Sequence, residues 1–314
     1  MQFAIRRLTR LGLASIALGA AFALAPGGPP AGAAVSTLVI AGAGDGHGVG
    51  MSQDGALGYA EHGWSYRAIL AHYYQHTAIG TVPRGTIVKV LIGNRVKRMK
   101  LETYLRGVVA AEVSASWPMA ALEAQAVASR TYAITAHAGG PRFDVYSDTR
   151  SQTYLGKSAE TPSTNAAVAA TAGQIVTYAG QPAITYFYAD SGGHTESVQY
   201  GFPGSTPEPW LVGVADPYDR GASSQWSVSM SFAAAAQRLS GLISGSFRGI
   251  EVTRRGSSPR IVSAYVLGSK GTTPVSGAEL AERLGLDSTW AYFSVRGAQP
   301  SQPSPSGTGG VAAG

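Results

Sequence analysis

The chain has 314 residues, no cysteine, and 24 Lys and Arg against 18 Asp and Glu, for a formal net charge of +6. That length suffices to bury a substantial core in one large domain or two lobes, and the missing thiols exclude disulfides and thiolate metal sites. Half of the charge belongs to the three leader arginines described next; the remainder is compatible with an anionic polymer and is no nucleic-acid footprint.

Residues 1–33 have the layout of a secretory signal peptide. Arg6, Arg7 and Arg10 form a basic start, Leu11 to Leu24 an apolar centre, and Ala31-Gly32-Ala33 a small-residue cleavage site. A membrane anchor is the competing reading, but the apolar run is short of about 20 residues and ends in a Pro/Gly patch at Pro26 to Pro30. Arg6-Arg7 leaves Sec and twin-arginine export both open. The mature chain is expected outside the cytoplasmic membrane.

Ser36 to Ile40 is a predicted strand feeding a glycine-rich turn, Gly42 to Gly50, in which His47 lies between two glycines. The glycines permit left-handed angles and close backbone approach, but their spacing is not a GxGxxG phosphate fingerprint. A helix is expected from Ser52 and a second over Ile69 to Tyr74, interrupted at Gly63. His72 and His76 share a helical face; Tyr73 stands where HExxH chemistry needs a Glu, so surface or packing roles are expected instead of zinc. Gly50-Met51-Ser52-Gln53-Asp54 lacks the closing glycine of a GxSxG nucleophile elbow.

Thr86 to Ile92 has the β-branched content of a strand, and Glu102 to Leu105 leads into GVVAAEVSASWPMAALEAQAVASRTY, Gly107 to Tyr132. Here Glu112 is a lone carboxylate after five small or apolar residues. Pro118 is expected to open a helix at its first position, capped by Ser116 or Trp117, and the run from Met119 is rich in helix formers. A carboxyl in apolar surroundings has a raised pKa and suits a general acid; a satisfied structural Glu is the alternative.

Residues 146–156, with Asp148, Gln152 and Tyr154, are expected as a loop or strand edge. Thr164 to Ala172 is a predicted helix, and Gln174 to Tyr178 and Ala183 to Tyr188 predicted strands. The turn at Ser191 to Gly193 is expected to display His194, Thr195 and Glu196. Phe232 to Leu242 (helix), Ile250 to Thr253 and Ile261 to Leu267 (antiparallel strands) and Gly277 to Leu284 (helix) complete an α+β chain of mixed helices and antiparallel strands, expected as two lobes around a substrate cleft. Residues 297–314 have the Gln/Pro/Ser/Gly composition of a disordered tail.

Several blocks carry a family resemblance: YLRGVVAAEVSASWPMAALEAQAVASRTYA, DTRSQTY at Asp148 to Tyr154, TYFYADSGGHTES at Thr185 to Ser197, and GHGVGMSQDGALGYAEHGWSYRAILAHYY at Gly46 to Tyr74. Together they resemble the stage II D sporulation (SpoIID) family, which includes LytB-type modifiers of cell-wall amidases. The resemblance covers most of Gly44 to Val295, giving a family domain at 34–296. In many relatives the GHGVGMSQ block lies near the C-terminus, so the order here looks circularly permuted, with a new break after Val295. Permutation is tolerated where chain ends lie close together at the surface.

The resemblance implies a lytic transglycosylase acting on peptidoglycan glycan strands, particularly strands stripped of stem peptides, with Glu112 as the catalytic acid. One acid suffices if it protonates the glycosidic oxygen and the muramic sugar's own primary hydroxyl captures the oxocarbenium-like centre. An ordinary glycosidase pair needs a second carboxylate; Glu123 lies on the following helix, and the sequence does not say whether it faces the cleft. Gln125, Arg130 and Tyr132 are candidate substrate contacts, with structural pairing of Arg130 and core packing of Tyr132 as alternatives. Gln152, Tyr154 and Ser191 join them from the matching blocks, and His47, Ser52 and Gln53 are expected near the cleft. Some family members hold a metal partly through cysteines; only His194 of such a set is present, so no metal or other cofactor is carried over. The competing function is a non-catalytic wall-binding module that stimulates an amidase.

Overall fold

The computed structural model describes residues 36–297 except 220, 222 and 223. The expected leader at 1–33 and all but the first residue of the expected tail at 297–314 lie outside the described residues. In chain order the elements are β1 (Thr37–Gly42), β2 (Met51–Ser52), α1 (Gln53–Glu61), α2 (Tyr66–Tyr73), β3 (Ala78–Thr81), β4 (Ile87–Ile92) and β5 (Arg95–Lys100). Then come α3 (Leu101–Glu112), α4 (Met119–Thr135), β6 (Val145–Tyr146), α5 (Pro162–Ala170), β7 (Gln174–Tyr178), β8 (Gln181–Pro182), β9 (Phe187–Tyr188) and α6 (Val198–Gly201). The last part holds β10 (Trp226–Ser231), α7 (Phe232–Arg238), β11 (Phe247–Arg255), β12 (Ile261–Gly268), β13 (Gly271–Ser276), α8 (Gly277–Leu284) and β14 (Ala291–Arg296). The class is mixed α+β, built from short sheets.

The larger of two hydrophobic cores surrounds α4. That helix is apolar nearly all round, with Ala121, Leu122, Ala124, Ala126, Val127, Ala128 and Ala133 buried, which is the pattern of a helix packed on every side. Its small side chains let α1, α2, α3, α5 and β7 close against it. The second core lies among the sheets β10-β1-β14 and β11-β12-β13 with α7 and α8. Here α8 is amphipathic: Leu280, Ala281 and Leu284 are buried, Ser276 caps its start and Gly285 ends it in the left-handed conformation, φ 68°.

β1 runs antiparallel between β10 and β14, and Thr37 pairs with Arg296. The described ends of the chain are therefore neighbours, the condition under which a permuted connection leaves a fold intact.

Local differences from the sequence reading have identifiable causes. Gly107 to Ala111 form the second half of α3, which ends at Glu112 because Val113 is extended, φ −133° and ψ 158°. Gly107 is required inside that helix because a Cβ there would come within 2.6 Å of Tyr154 Cε2. Pro118 is the N-cap of α4, not its first helical residue, and neither Ser116 nor Trp117 caps it. Of Ala183 to Tyr188 only Phe187 and Tyr188 form a strand, since the preceding backbone is satisfied by side chains: Trp210 Nε1 donates to Ile184 O and Tyr74 OH to Tyr186 O. α7 stops at Arg238, ahead of Gly241 with φ 84°.

Candidate active site

Glu112 is the last residue of α3, at the helix end whose partial negative charge disfavours a carboxylate. Its side chain is part-exposed at a cleft whose empty volume, counting the solvent at its mouth, is about 440 Å³. Oε1 accepts from the Thr153 backbone N–H at 2.5 Å and Oε2 from Gln53 Nε2 at 3.2 Å. Burial raises the carboxyl above its ordinary value, while the bonds from Thr153 and Gln53 pull the other way. The result is a fixed, solvent-reachable carboxyl biased toward its protonated form.

The two donors arrive from distant parts of the chain. Gln53 opens α1, whose N-cap Ser52 accepts from Gly55 N at 3.2 Å. Thr153 sits in the loop after β6, held by Tyr154 N donating to Ser147 O, Leu155 N to Gly107 O and Tyr146 N to Ser151 Oγ. The cleft is completed by Asp45, Gly46, His47, Thr149, Ser151 and Phe187 to Ala189. Gly46 is also gripped by the second core, since Arg260 Nη1 donates to its carbonyl at 3.2 Å and its N–H donates to Asp287 O.

Of the residues singled out in the sequence, Glu112, Gln53 and His47 meet in the cleft. His47 Nδ1 accepts from Val49 N at 3.0 Å, and burial, then the Arg260 charge, lowers the imidazole to about 3, so it is a neutral ring packed on Tyr188 and Phe202. Tyr132 lies just behind, buried against Tyr186 and Phe187; burial, with the Tyr186 and Glu112 charges adding, pushes its phenol up to about 12.

The others are not brought to the cleft. Arg130, expected to reach a sugar, is fully buried. Its Nε and Nη2 form a bidentate pair with Glu102 at 2.9 and 2.8 Å, and its remaining donors reach Gln174 O and Val168 O. Gln125 Nε2 donates to Ser129 Oγ, and Gln152 Nε2 to Tyr104 OH and Ser129 O, all within the interior. Tyr154 stacks on Tyr104 at 5.2 Å. Ser52 Oγ donates to Asp219 at 2.6 Å, and Ser191 N donates to the same carboxylate oxygen at 2.5 Å. The turn at Ser191 does not display Thr195 and Glu196; both are buried, and Glu196 accepts from Ser257 and Ser258. His72 bonds Tyr59 OH and Ala215 O, and no group of three His, Cys, Asp or Glu among the described residues is placed to hold a metal ion.

Sequence reasoning missed Thr153, which acts through its backbone and so has no side-chain signature, and Asp45, the second carboxylate at the cleft in place of Glu123. It also missed a buried carboxylate group behind β9. Asp216 accepts from Tyr73 OH at 2.8 Å and Asp190 from Gly192 N at 2.8 Å, with Asp219 beside both. Burial, with the Asp219 charge adding, pushes Asp190 up to about 6 and Asp216 up to about 7. Asp216 and Asp219 share one turn while Asp190 follows β9, and nothing local marks the two segments as neighbours.

Glu112 gives the cleft a part-buried acid at the end of a helix, and comparison with known proteins says what the chain is similar to. Residues 93–178, which include Glu112 and Thr153, match the family model described as Stage II sporulation protein. Over this stretch the chain is similar to the SpoIID/LytB family. It is 30% identical over 212 residues to the Stage II sporulation protein D of Bacillus subtilis, covering 62% of this chain and 60% of that one. It is 39% identical over 140 residues to an uncharacterized protein of Brachyspira hyodysenteriae, covering 44% of this chain and 38% of the other. It is 36% identical over 115 residues to the Amidase enhancer of Bacillus subtilis, covering 37% of this chain and 15% of that one. The match thus spans less than two thirds of each of these relatives.

Proposed function

We propose that this protein is a secreted peptidoglycan lytic transglycosylase that cleaves denuded glycan strands with Glu112 as acid and then base. The observation that carries the proposal is the Glu112 carboxyl, raised by burial yet open to a cleft and held between Thr153 N–H and Gln53 Nε2. Glu112 gives its proton to the glycosidic oxygen as the bond from that oxygen to the muramic anomeric carbon breaks. The primary hydroxyl of the same muramic sugar then bonds to that carbon and returns its proton to the Glu112 carboxylate, closing an anhydro ring. The carboxyl ends as it began, and no water is consumed.

Two features favour different outcomes. Asp45 at the cleft supplies the second carboxylate of a hydrolase, in which water attacks and an ordinary reducing end results. Similarity to an Amidase enhancer favours a modifier that binds wall glycan and stimulates an amidase without cutting. Incubation with purified denuded glycan, followed by mass spectrometry, separates them. Anhydro ends support the proposal, reducing ends the hydrolase, and uncut strands with enhanced amidase activity the modifier. Export is tested by fractionating the native host: intact chain starting at Met1 in the membrane fraction contradicts it.

A further inference from the structure

From His62 to Leu101 the chain carries seven Lys and Arg and no Asp or Glu. Four of these cations, Arg95, Lys97, Arg98 and Lys100, lie in β5 and are exposed. None of the four takes part in an ion pair among the described residues, whereas Lys89 on the adjoining β4 stands 3.8 Å from Asp144. Because side chains alternate along a strand, Arg95 and Lys97 mark one face and Arg98 and Lys100 the other. An edge strand needs only one or two charges to discourage pairing with another chain. Four uncompensated cations covering both faces exceed that need and repel one another.

The hairpin is also placed beside the site. β5 is the outer strand of the sheet β5-β4-β6, and Leu91 of β4 lies between Val96 and Tyr146 in register. Val96, flanked by Arg95 and Lys97, therefore stands two strand spacings, about 10 Å, from Tyr146, where the loop carrying Thr149, Ser151 and Thr153 into the cleft begins. At its other end Lys100 is the N-cap of α3, whose last residue is Glu112. The basic strand and the acid are thus joined by one helix about 18 Å long.

We propose that the β4–β5 hairpin is an exosite for the glycan strand outside the cleft, where its cations engage the free lactyl carboxylates of muramic residues distant from the bond being cut. The proposal rests on denuded glycan being the substrate, since removal of a stem peptide is what frees a carboxylate close to the sugar ring. Long strands reach both the hairpin and Glu112; fragments shorter than the helix that separates them do not.

The test is binding, scored in the full chain carrying Glu112→Gln so that the strand stays whole and cleavage is not needed for a readable result. Retention on long denuded glycan is compared with and without Arg95→Gln, Lys97→Gln, Arg98→Gln and Lys100→Gln together. The expected result is salt-sensitive retention that falls on the order of tenfold in the substituted protein, with its salt dependence flattened. Glycan whose carboxylates have been amidated should be held weakly by both proteins. If the fourfold substitution lowers the melting temperature, Lys97→Gln with Arg98→Gln serves in its place, with a smaller fall in the same direction. Equal retention of the two proteins on denuded glycan, equal retention of amidated and free glycan, or equal retention on poly(glycerol phosphate) would each overturn the proposal. Cleavage of long strands by the protein with Glu112 intact is a separate measurement, and its absence would count against the reaction, not against the exosite.

Discussion

Gln53 Nε2 donates to Glu112 Oε2 at 3.2 Å, joining the first residue of α1 to the last residue of α3 across 59 positions of chain. The bond favours the charged form of an acid that burial pushes toward the neutral form. Gln53→Leu removes that support, so the Glu112 pKa should rise further. If protonated Glu112 starts the reaction, activity is lost as pH rises through that pKa, and the alkaline limb of the rate profile should move to higher pH in the variant. The maximal rate should fall on the order of tenfold to a hundredfold as the carboxyl loses a positioning contact. An unmoved limb, or one moved to lower pH, would contradict the assignment.

Arg130 has a structural task that a sugar contact would not share. Its guanidinium is 0% exposed, ties α4 to Glu102 of α3, and satisfies carbonyls at Val168 and Gln174. Arg130→Ala should destabilise the fold by on the order of 3 kcal/mol, because several buried acceptors lose their donor together. Thermal unfolding checks this. A variant that melts like the parent while losing affinity for glycan would restore Arg130 to the substrate site.

The acids behind β9 make stability depend on pH. Asp190 and Asp216 are raised to about 6 and about 7 in the folded chain, above the ordinary Asp value of about 3.8. Between the unfolded and folded values the native state binds more protons than the unfolded state, so stability falls as pH rises. The contribution is fully present below about pH 4 and is lost as pH passes through 6 to 7. Melting temperature should therefore decline from about pH 5 to about pH 8. Asp216→Asn, which keeps an acceptor for Tyr73 but cannot ionise, should flatten that decline; an identical slope in the variant would remove Asp216 as its source.

Much of this was legible in the sequence, and the division has a physical basis. Glu112 stands out because it is a lone carboxylate among small apolar residues, and α8 because Ser276, Gly285 and its apolar spacing are all local signals. β7 was equally plain from its β-branched run. What escaped depends on long-range contact. Thr153 contributes a backbone N–H, which any residue would present in sequence. Asp45 lies in a glycine-rich turn that packs against residues near position 287, and Arg130 meets Glu102 only when α3 closes on α4. Type and spacing single out Glu112 as a candidate; the register of distant elements decides which polar residues surround it.

The most direct test of the central claim is Glu112→Gln, scored on one preparation for melting temperature and for anhydro-ended glycan. The amide keeps the shape and an acceptor for Thr153 N–H, but it has no acid proton to give. A catalytic Glu112 predicts a folded protein with a melting temperature close to the parent's, retained binding of denuded glycan, and loss of anhydro-ended product on the order of a hundredfold or more. A Glu112→Gln protein that releases anhydro ends at the parental rate would contradict the account.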